Sequence, residues 1–117
     1  MKKIILIEDD IDLMDIVEMF LRENGYAIIK TKRLMPVEEI ISINPHLVIT
    51  DIGLFIGLGT DLCFAIKINP KAKHIPVLLY SSISNLKTPA YDSLADGYLE
   101  KPFDLDDLLA VVEKTIA

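Results

Sequence analysis

The stretch KIILIEDD at residues 3–10 leads from an unbroken aliphatic run directly into three acidic residues. A continuous β-branched and aliphatic run of this length is typical of a central strand in a parallel sheet, because helices cover both faces of such a strand. The acidic triplet then lies at the carboxyl end of that strand, which is the end at which open parallel sheets bind ligands. This stretch therefore predicts both the class of fold and the edge of the sheet that holds a site.

The alternation of strand and helix continues along the chain. Further apolar runs of strand length cover residues 26–31, 47–50, 75–80 and 98–100. Segments with helical spacing of apolar residues lie between them at 11–23, 36–42, 59–69 and 88–95, and Asp104 caps a last helix. Strands that alternate with helices indicate parallel βαβ units. We therefore expect a single α/β domain over residues 1–117.

The fourth helical segment is predicted to be short or irregular. Thr88 and Pro89 have the pattern of an N-cap followed by a first-turn proline, and the turn residues at 96–97 end the helix after about two turns. A helix this short is marginal without tertiary contacts. We expect Tyr91 and Leu94 to supply its packing against the sheet.

Composition excludes several classes of protein. The chain has 117 residues, 51% of them hydrophobic, and no apolar run approaches the roughly 20 residues of a membrane-spanning helix. With no export signal after Met1, we expect a cytoplasmic protein without membrane association. A net charge of −6 and the lack of a basic cluster argue against direct binding of nucleic acid. The single cysteine, Cys63, is expected to be a small buried residue.

Polar side chains follow four of the predicted strands. Glu8 and Asp9 follow the first strand, Asp51 the third, Ser81 the fourth and Lys101 the fifth. Because the carboxyl ends of parallel strands share one edge of the sheet, we expect these side chains to converge on one crevice. Three acids in a small space repel one another, and a divalent cation with hard oxygen ligands is the usual way to hold them. The sequence therefore favours a Mg²⁺ site.

In this order, these residues resemble the response-regulator receiver family of two-component signalling, which includes the chemotaxis regulator and the receiver domains of transcriptional response regulators. The resemblance covers essentially the whole chain, through IEDD at 7–10, VITD at 48–51, PVLLYS at 76–81 and GYLEKPF at 97–103. It implies a flavodoxin-like (βα)5 three-layer sandwich whose five-stranded parallel sheet has the order 2-1-3-4-5.

The resemblance also implies a phosphorelay reaction. Asp51 is the expected phosphoacceptor, which takes a phosphoryl group from a histidine kinase or a phosphotransfer protein. Mg²⁺, with Mn²⁺ as a substitute, is expected to be bound by Asp9 and Asp51 directly, by Glu8 through a water molecule and by the backbone carbonyl of Gly53. The expected product is a switched surface for an output protein or output domain. The chain would then be a signalling switch with only self-directed phosphotransfer and autodephosphorylation, and not an enzyme.

Other residues acquire roles through the same resemblance. Lys101 is expected to pair with a phosphoryl oxygen, and the Ser81 hydroxyl to donate a hydrogen bond to the phosphoryl group. Tyr98 matches the aromatic residue whose rotation couples the site to the partner surface. Pro102 fits the family's cis peptide after the lysine.

Some residues are given no role in the site. Asp10 and Asp12 are expected to be helix-capping or solvated acids, and His46 and His74 are placed in turns at the opposite end of the strands. The loop at 53–58 departs from the family pattern, because it lacks the usual proline at residue 55 and the usual polar residue at 58. Its apolar character suggests a partner surface.

Alternative functions are also consistent with parts of the sequence. A receiver-like interaction module controlled without phosphorylation would fit the unusual loop and the short fourth helix. A phosphatase with an aspartate nucleophile needs a second acid two residues after the nucleophile, where Gly53 stands. A mononucleotide or flavin binder needs a glycine-rich loop after the first strand, where this chain is acidic.

Overall fold

The computed structural model describes residues 1–53, 58–82 and 85–116, and a parallel β-sheet forms the centre of this part of the chain. The strands are β1 (Lys2–Ile7), β2 (Tyr26–Thr31), β3 (Leu47–Asp51), β4 (Val77–Ser81) and β5 (Gly97–Glu100). Every neighbouring pair is parallel, and the order across the sheet is β2-β1-β3-β4-β5. The expected strand order is confirmed.

Helices cover both faces of the sheet. They are α1 (Ile11–Glu23), α2 (Val37–Ile43), α3 (Gly59–Ile68), α4 (Lys87–Asp92) and α5 (Leu105–Ile116). Ile4 and Leu6 of β1 pack in the cluster that includes buried residues of α1 and α5, whereas Ile5 and Ile7 pack in the cluster under α2, α3 and α4. Successive side chains of a strand point to opposite faces, so both faces of β1 are apolar. This explains why its aliphatic run is continuous, and the three-layer sandwich is confirmed.

Local signals set the limits of α1. The Asp10 carboxylate accepts a hydrogen bond from the Leu13 N–H at 3.2 Å, which satisfies one of the free donors at the start of the helix. At the other end, Asn24 is the C-cap and Gly25 has a φ of +92°, a conformation that glycine adopts without steric cost. The predicted limits of α1 and the helix-cap role of Asp10 are confirmed. By contrast, α2 begins at Val37 with Pro36 in the N-cap position, one residue later than predicted.

Helix α4 is short, as expected, but two predictions about it are wrong. Leu86, not Thr88, occupies the N-cap position, and it makes no capping hydrogen bond through its side chain. Tyr91 and Leu94 do not pack against the sheet, since they are 81% and 51% exposed. The buried contacts come from Leu86 and Ala90, which are four residues apart and therefore on one face. Because the helix starts earlier than predicted, the residues that face the sheet also come earlier in the sequence.

The segment after α4 is anchored to the sheet by an acidic side chain. Asp96 Oδ2 accepts hydrogen bonds from Lys67 Nζ and from the Val77 N–H, each at 2.8 Å. The Asp96 N–H donates to the Val77 carbonyl oxygen at 2.9 Å. Together these bonds fix the start of β5 beside the start of β4.

Cys63 and His46 lie outside the acidic site. Cys63 is fully buried, and burial raises the pKa of its thiol to about 11, as suits an inert core residue. His46 Nδ1 accepts a hydrogen bond from the Lys3 N–H at 3.0 Å, at the opposite end of the strands from the acidic residues. Residues 54–57, on which the prediction of an apolar partner surface depends, lie outside the described residues. No helix in the described ranges has the length and apolar character needed to cross a bilayer.

Candidate functional site

Three carboxylates meet at the carboxyl edge of the sheet. Strands β1 and β3 are neighbours in register, with Ile7 opposite Thr50, so the residues that follow them lie side by side. Glu8, Asp9 and Asp51 each offer an oxygen, and these oxygens all lie within 4.8 Å of one another. Glu8 is completely buried and Asp51 is 8% exposed. The convergence predicted from the strand ends is present in the structure.

Glu8 is held on both carboxylate oxygens. Its Oε1 accepts a hydrogen bond from Lys101 Nζ at 3.0 Å, and its Oε2 accepts one from the Asp10 N–H at 3.1 Å. Its own N–H donates to the Thr31 carbonyl oxygen at 3.1 Å, which continues the pairing of β1 with β2. A buried carboxylate without such partners would be costly, and these bonds fix its orientation.

Lys101 reaches the cluster from the end of β5. Its Nζ lies 2.6 Å from Asp51 Oδ2, and its backbone N–H donates to the Ser81 carbonyl oxygen at 2.8 Å. Burial disfavours the ammonium, but the hydrogen bonds and charges of Asp51 and Glu8 outweigh burial and leave the Lys101 pKa raised. The peptide bond from Lys101 to Pro102 is cis, as the resemblance implied.

The backbone around Asp51 is supported by two glycines. The Gly53 N–H donates to Asp51 Oδ1 at 3.2 Å. Gly59, the first residue of α3, lies so close to Asp51 that a Cβ there would overlap the Asp51 carbonyl oxygen. Only glycine allows this approach. This function of Gly59 was not predicted from the sequence, although a glycine at the start of the helix after Asp51 was the available signal.

The two remaining predicted residues lie on β4 and β5. Ser81 is buried at the end of β4, one residue beyond Tyr80, which pairs with Asp51 of β3. Tyr98 of β5 is 40% exposed and therefore is not a core residue. It lines an open pocket between α4 and α5, together with Tyr91. The structure thus places Ser81 next to the acidic edge and Tyr98 on the outer surface.

Tyr80 contacts the site through Lys101, although its sequence position predicts only a strand residue. Its ring is completely buried and stacks on Phe103, with a centroid distance of 5.8 Å and an interplanar angle of 25°. Lys101 Nζ lies 4.7 Å from the Tyr80 ring centroid, in the range of a cation–π contact. A phenol inside an otherwise aliphatic strand was the signal that could have identified it.

The charges of the cluster suit a divalent cation. Three carboxyl groups share the one ammonium of Lys101, so acidic groups outnumber basic ones in the cluster. Carboxylate oxygens are hard ligands, which suit Mg²⁺ or Ca²⁺ better than softer metals. Asp51 also carries a carboxylate that can act as a nucleophile, with a cation beside it to offset charge on an incoming group.

Comparison with known proteins gives consistent results. Residues 4–113 match the model of the response regulator receiver domain. Over 96% of the chain, the sequence is 31% identical to part of the DNA-binding dual master transcriptional regulator RpaA of Synechocystis, of which the match covers 48%. A segment of Histidine kinase P4 of Formosa agariphila is 42% identical over 54% of this chain and 5% of the kinase. The chain thus spans about half the length of the first transcriptional relatives that it matches.

The fold is also shared with solved structures. A putative response regulator from Chloroflexus aurantiacus superposes with a TM-score of 0.91 and 24% identity, over 98% of this chain and 97% of that one. At that identity the likeness shows the fold alone, whereas the family match at residues 4–113 includes every residue of the acidic site. The chain belongs to the response-regulator receiver family.

Proposed function

We propose that Asp51 is the residue that accepts the phosphoryl group in this receiver domain. The observation that carries the proposal is the contact of Asp51 Oδ2 with Lys101 Nζ at 2.6 Å, inside a cluster of three carboxylates. A carboxylate oxygen of Asp51 attacks the phosphorus of a phosphohistidine on a histidine kinase or a phosphotransfer protein. The bond from phosphorus to the histidine nitrogen breaks, and an aspartyl phosphate forms. Small phosphodonors such as acetyl phosphate react in the same way, with loss of acetate.

The acidic cluster is the proposed site of the Mg²⁺ that this reaction requires. Asp9 and Asp51 would be the direct ligands, Glu8 would act through a water molecule, and the backbone carbonyl of Gly53 would supply a further oxygen. When bound, the ion would offset negative charge on the phosphoryl group during transfer. Mn²⁺, which also accepts oxygen ligands, is the expected substitute.

The phosphorylated state is proposed to be sensed by two side chains. Lys101 exchanges its contact with the Asp51 carboxylate for a phosphoryl oxygen, and Ser81 donates a hydrogen bond to another. Tyr98, which lies on the exposed surface between α4 and α5, transmits the change to a partner. The position of Tyr98 outside the core, in a pocket that Tyr91 also lines, supports this role.

The proposed activity is that of a switch in the cytoplasm. Its chemistry is limited to its own phosphorylation and dephosphorylation, so the domain is not an enzyme acting on a separate substrate. RpaA is described as a DNA-binding regulator. We infer that DNA binding, if it belongs to the pathway of this chain, resides in an output protein or output domain, because this chain carries a net charge of −6.

Mass spectrometry tests the proposal directly. With Mg²⁺ and acetyl phosphate, the wild type should gain one phosphoryl group that hydroxylamine removes, as expected for an acyl phosphate. Asp51→Asn should gain none, and excess EDTA should prevent the reaction of the wild type. Asp12→Asn, which changes an exposed acid on α1, is the matched control and should react normally.

The same experiment separates the alternatives. Undiminished incorporation in Asp51→Asn would refute the assignment of the acceptor, and undiminished incorporation in EDTA would refute the metal requirement. A wild type that takes no phosphoryl group from either a small donor or a phosphorylated kinase would instead favour an interaction module controlled without phosphorylation.

A further inference from the structure

The aromatic ring of Tyr80 lies beneath the Lys101 ammonium near the carboxyl end of β4. Lys101 Nζ is 4.7 Å from the ring centroid, within the range of a cation–π contact. The Tyr80 side chain is completely buried and the Lys101 side chain is 18% exposed, so little water screens the attraction between them. Contacts of this kind are strongest when the cation has lost its water.

The segment that carries Lys101 also holds the ring in place. Phe103, two residues after Lys101, stacks on the Tyr80 ring with a centroid distance of 5.8 Å and an interplanar angle of 25°. The Lys101 N–H donates to the carbonyl oxygen of Ser81, the residue after Tyr80, at 2.8 Å. The end of β4 therefore contacts this segment at the Lys101 backbone, at the Lys101 ammonium and at the Phe103 ring.

The contact with the ring differs in kind from the other two contacts of the ammonium. Lys101 Nζ lies 2.6 Å from Asp51 Oδ2 and 3.0 Å from Glu8 Oε1. Both partners belong to the acidic cluster, whose charge would change on arrival of a cation or a phosphoryl group. The charge distribution of the Tyr80 ring stays the same in either event. The ring is therefore a contact that can keep the ammonium beside Asp51 throughout the reaction.

We propose that Tyr80 is a positioning residue of the phosphoacceptor site, whose ring holds the Lys101 ammonium where it meets the phosphoryl group on Asp51. The inference rests on the proposed function, in which Lys101 pairs with a phosphoryl oxygen. The ring itself makes no bond to the phosphoryl group and transfers no proton. It restricts the positions open to a long and flexible side chain. Phosphoryl transfer is faster as a result, because the lysine is already ordered before the donor arrives.

Replacement of Tyr80 by phenylalanine and by a trifluorinated phenylalanine separates the charge distribution of the ring from its shape. Both replacements keep a ring of nearly the same size, but fluorine withdraws the electrons that make the ring face attractive to a cation. Mass spectrometry measures the rate of phosphorylation by acetyl phosphate with Mg²⁺. We expect Tyr80→Phe to react within about twofold of the wild type, and the fluorinated variant to react about fivefold more slowly than Tyr80→Phe.

Thermal unfolding in EDTA shows whether the ring acts through the lysine. Relative to Tyr80→Phe, fluorination should lower the melting temperature by about 4 °C when Lys101 is present, and should have no such effect in a Lys101→Met background. The matched control places the same fluorinated residue at Phe20, which is partly buried in the same core cluster near the C-terminal end of α1. This control should be phosphorylated at the wild-type rate.

The outcomes distinguish this inference from the proposed function. If the wild type takes no phosphoryl group, the proposed function is refuted, and the role of Tyr80 with it. If the wild type is phosphorylated and the two ring variants react equally fast, Asp51 stands as the acceptor and the role of Tyr80 is wrong. A fivefold loss already in Tyr80→Phe would assign the effect to the hydroxyl, which overturns the inference. An equal effect of fluorination on melting temperature with and without Lys101 would show that the ring supports only the core, which also overturns it.

Discussion

Replacement of Gly59 by alanine tests how closely helix α3 approaches the proposed phosphoacceptor. The new methyl group would overlap the Asp51 carbonyl oxygen and lie 2.9 Å from both the Asp51 carbonyl carbon and Thr50 Oγ1. Asp51 belongs to β3, a strand paired on both sides and buried along its whole length. Its main chain cannot move without disturbing the neighbouring strands, so α3 must shift or β3 must distort.

The expected loss of stability can be estimated from this geometry. Overpacking typically costs about 1–3 kcal/mol, and the rigid main chain at Asp51 places Gly59→Ala at the upper end, about 3 kcal/mol. The higher helix propensity of alanine returns at most about 1 kcal/mol. The free energy of unfolding should therefore fall by about 2–3 kcal/mol. Unfolding entropies of about 2.1 cal/mol/K per residue convert this into a fall in melting temperature of about 8–12 °C.

Urea and thermal unfolding measure this loss, and Gly53→Ala is the matched control. A Cβ at Gly53 meets no atom within 4 Å, and Gly53 lies outside the left-handed region, so its replacement should change stability by less than about 1 kcal/mol. Phosphorylation of Gly59→Ala by acetyl phosphate should also be slower, because Asp51 is displaced. A Gly59→Ala protein within 1 kcal/mol of the wild type would show that α3 does not press on Asp51.

Four further predictions concern Lys101, Asp96 and Leu94. Lys101→Met leaves two buried carboxylates without their cation, so the free energy of unfolding of the metal-free protein should fall by about 2–3 kcal/mol. Mg²⁺ binding should persist, and its loss in calorimetry would contradict this prediction. The pKa of Lys101 lies above its ordinary value of 10.5, so the ammonium stabilises the folded state fully below pH 10.5 and loses this effect at higher pH. In urea unfolding, the stability difference between the wild type and Lys101→Met should therefore shrink only at strongly alkaline pH. Asp96→Ala leaves the Val77 N–H without its side-chain acceptor and should cost about 1–3 kcal/mol in urea unfolding, whereas Asp92→Ala, an exposed control, should cost less than about 0.5 kcal/mol. Leu94 has a φ of +66°, so Leu94→Gly should raise the free energy of unfolding by about 1 kcal/mol, and a clear loss in thermal unfolding would refute this.

Helices with a recognisable capping residue at the start and turn residues at the end were predictable from the sequence. Helix α1 has an acidic N-cap and an Asn-Gly stop, and its predicted and observed limits agree. Helix α4 has a good N-cap pattern at Thr88, but the structure begins the helix at Lys87 and buries Leu86 and Ala90. Packing of an apolar face contributes more to a short helix than a cap does, and the local pattern did not show which face would be buried.

The site was predictable where its residues follow strands. Glu8, Asp9 and Asp51 could be placed together because parallel strands end at one edge of the sheet. Gly59 and Tyr80 could not be assigned in this way. The function of Gly59 depends on the path by which the chain returns to Asp51, and that of Tyr80 depends on partners that are distant in sequence. Neither relation follows from residue type and spacing alone.

The alternation of side chains along β4 and β5 divides the site between the two faces of the sheet. Tyr80 packs in the core cluster of α1 and α5, and Lys101, which lies over its ring, belongs to the same side. Ser81 is offset from Tyr80 by one residue and therefore shares the opposite face with Leu79, which pairs with Tyr98 of β5. A phosphoryl group on Asp51, at the end of the strand next to β4, would be contacted from both faces. Changes at Tyr80 should then act through Lys101, while changes at Ser81 should act on the surface formed by α4 and Tyr98.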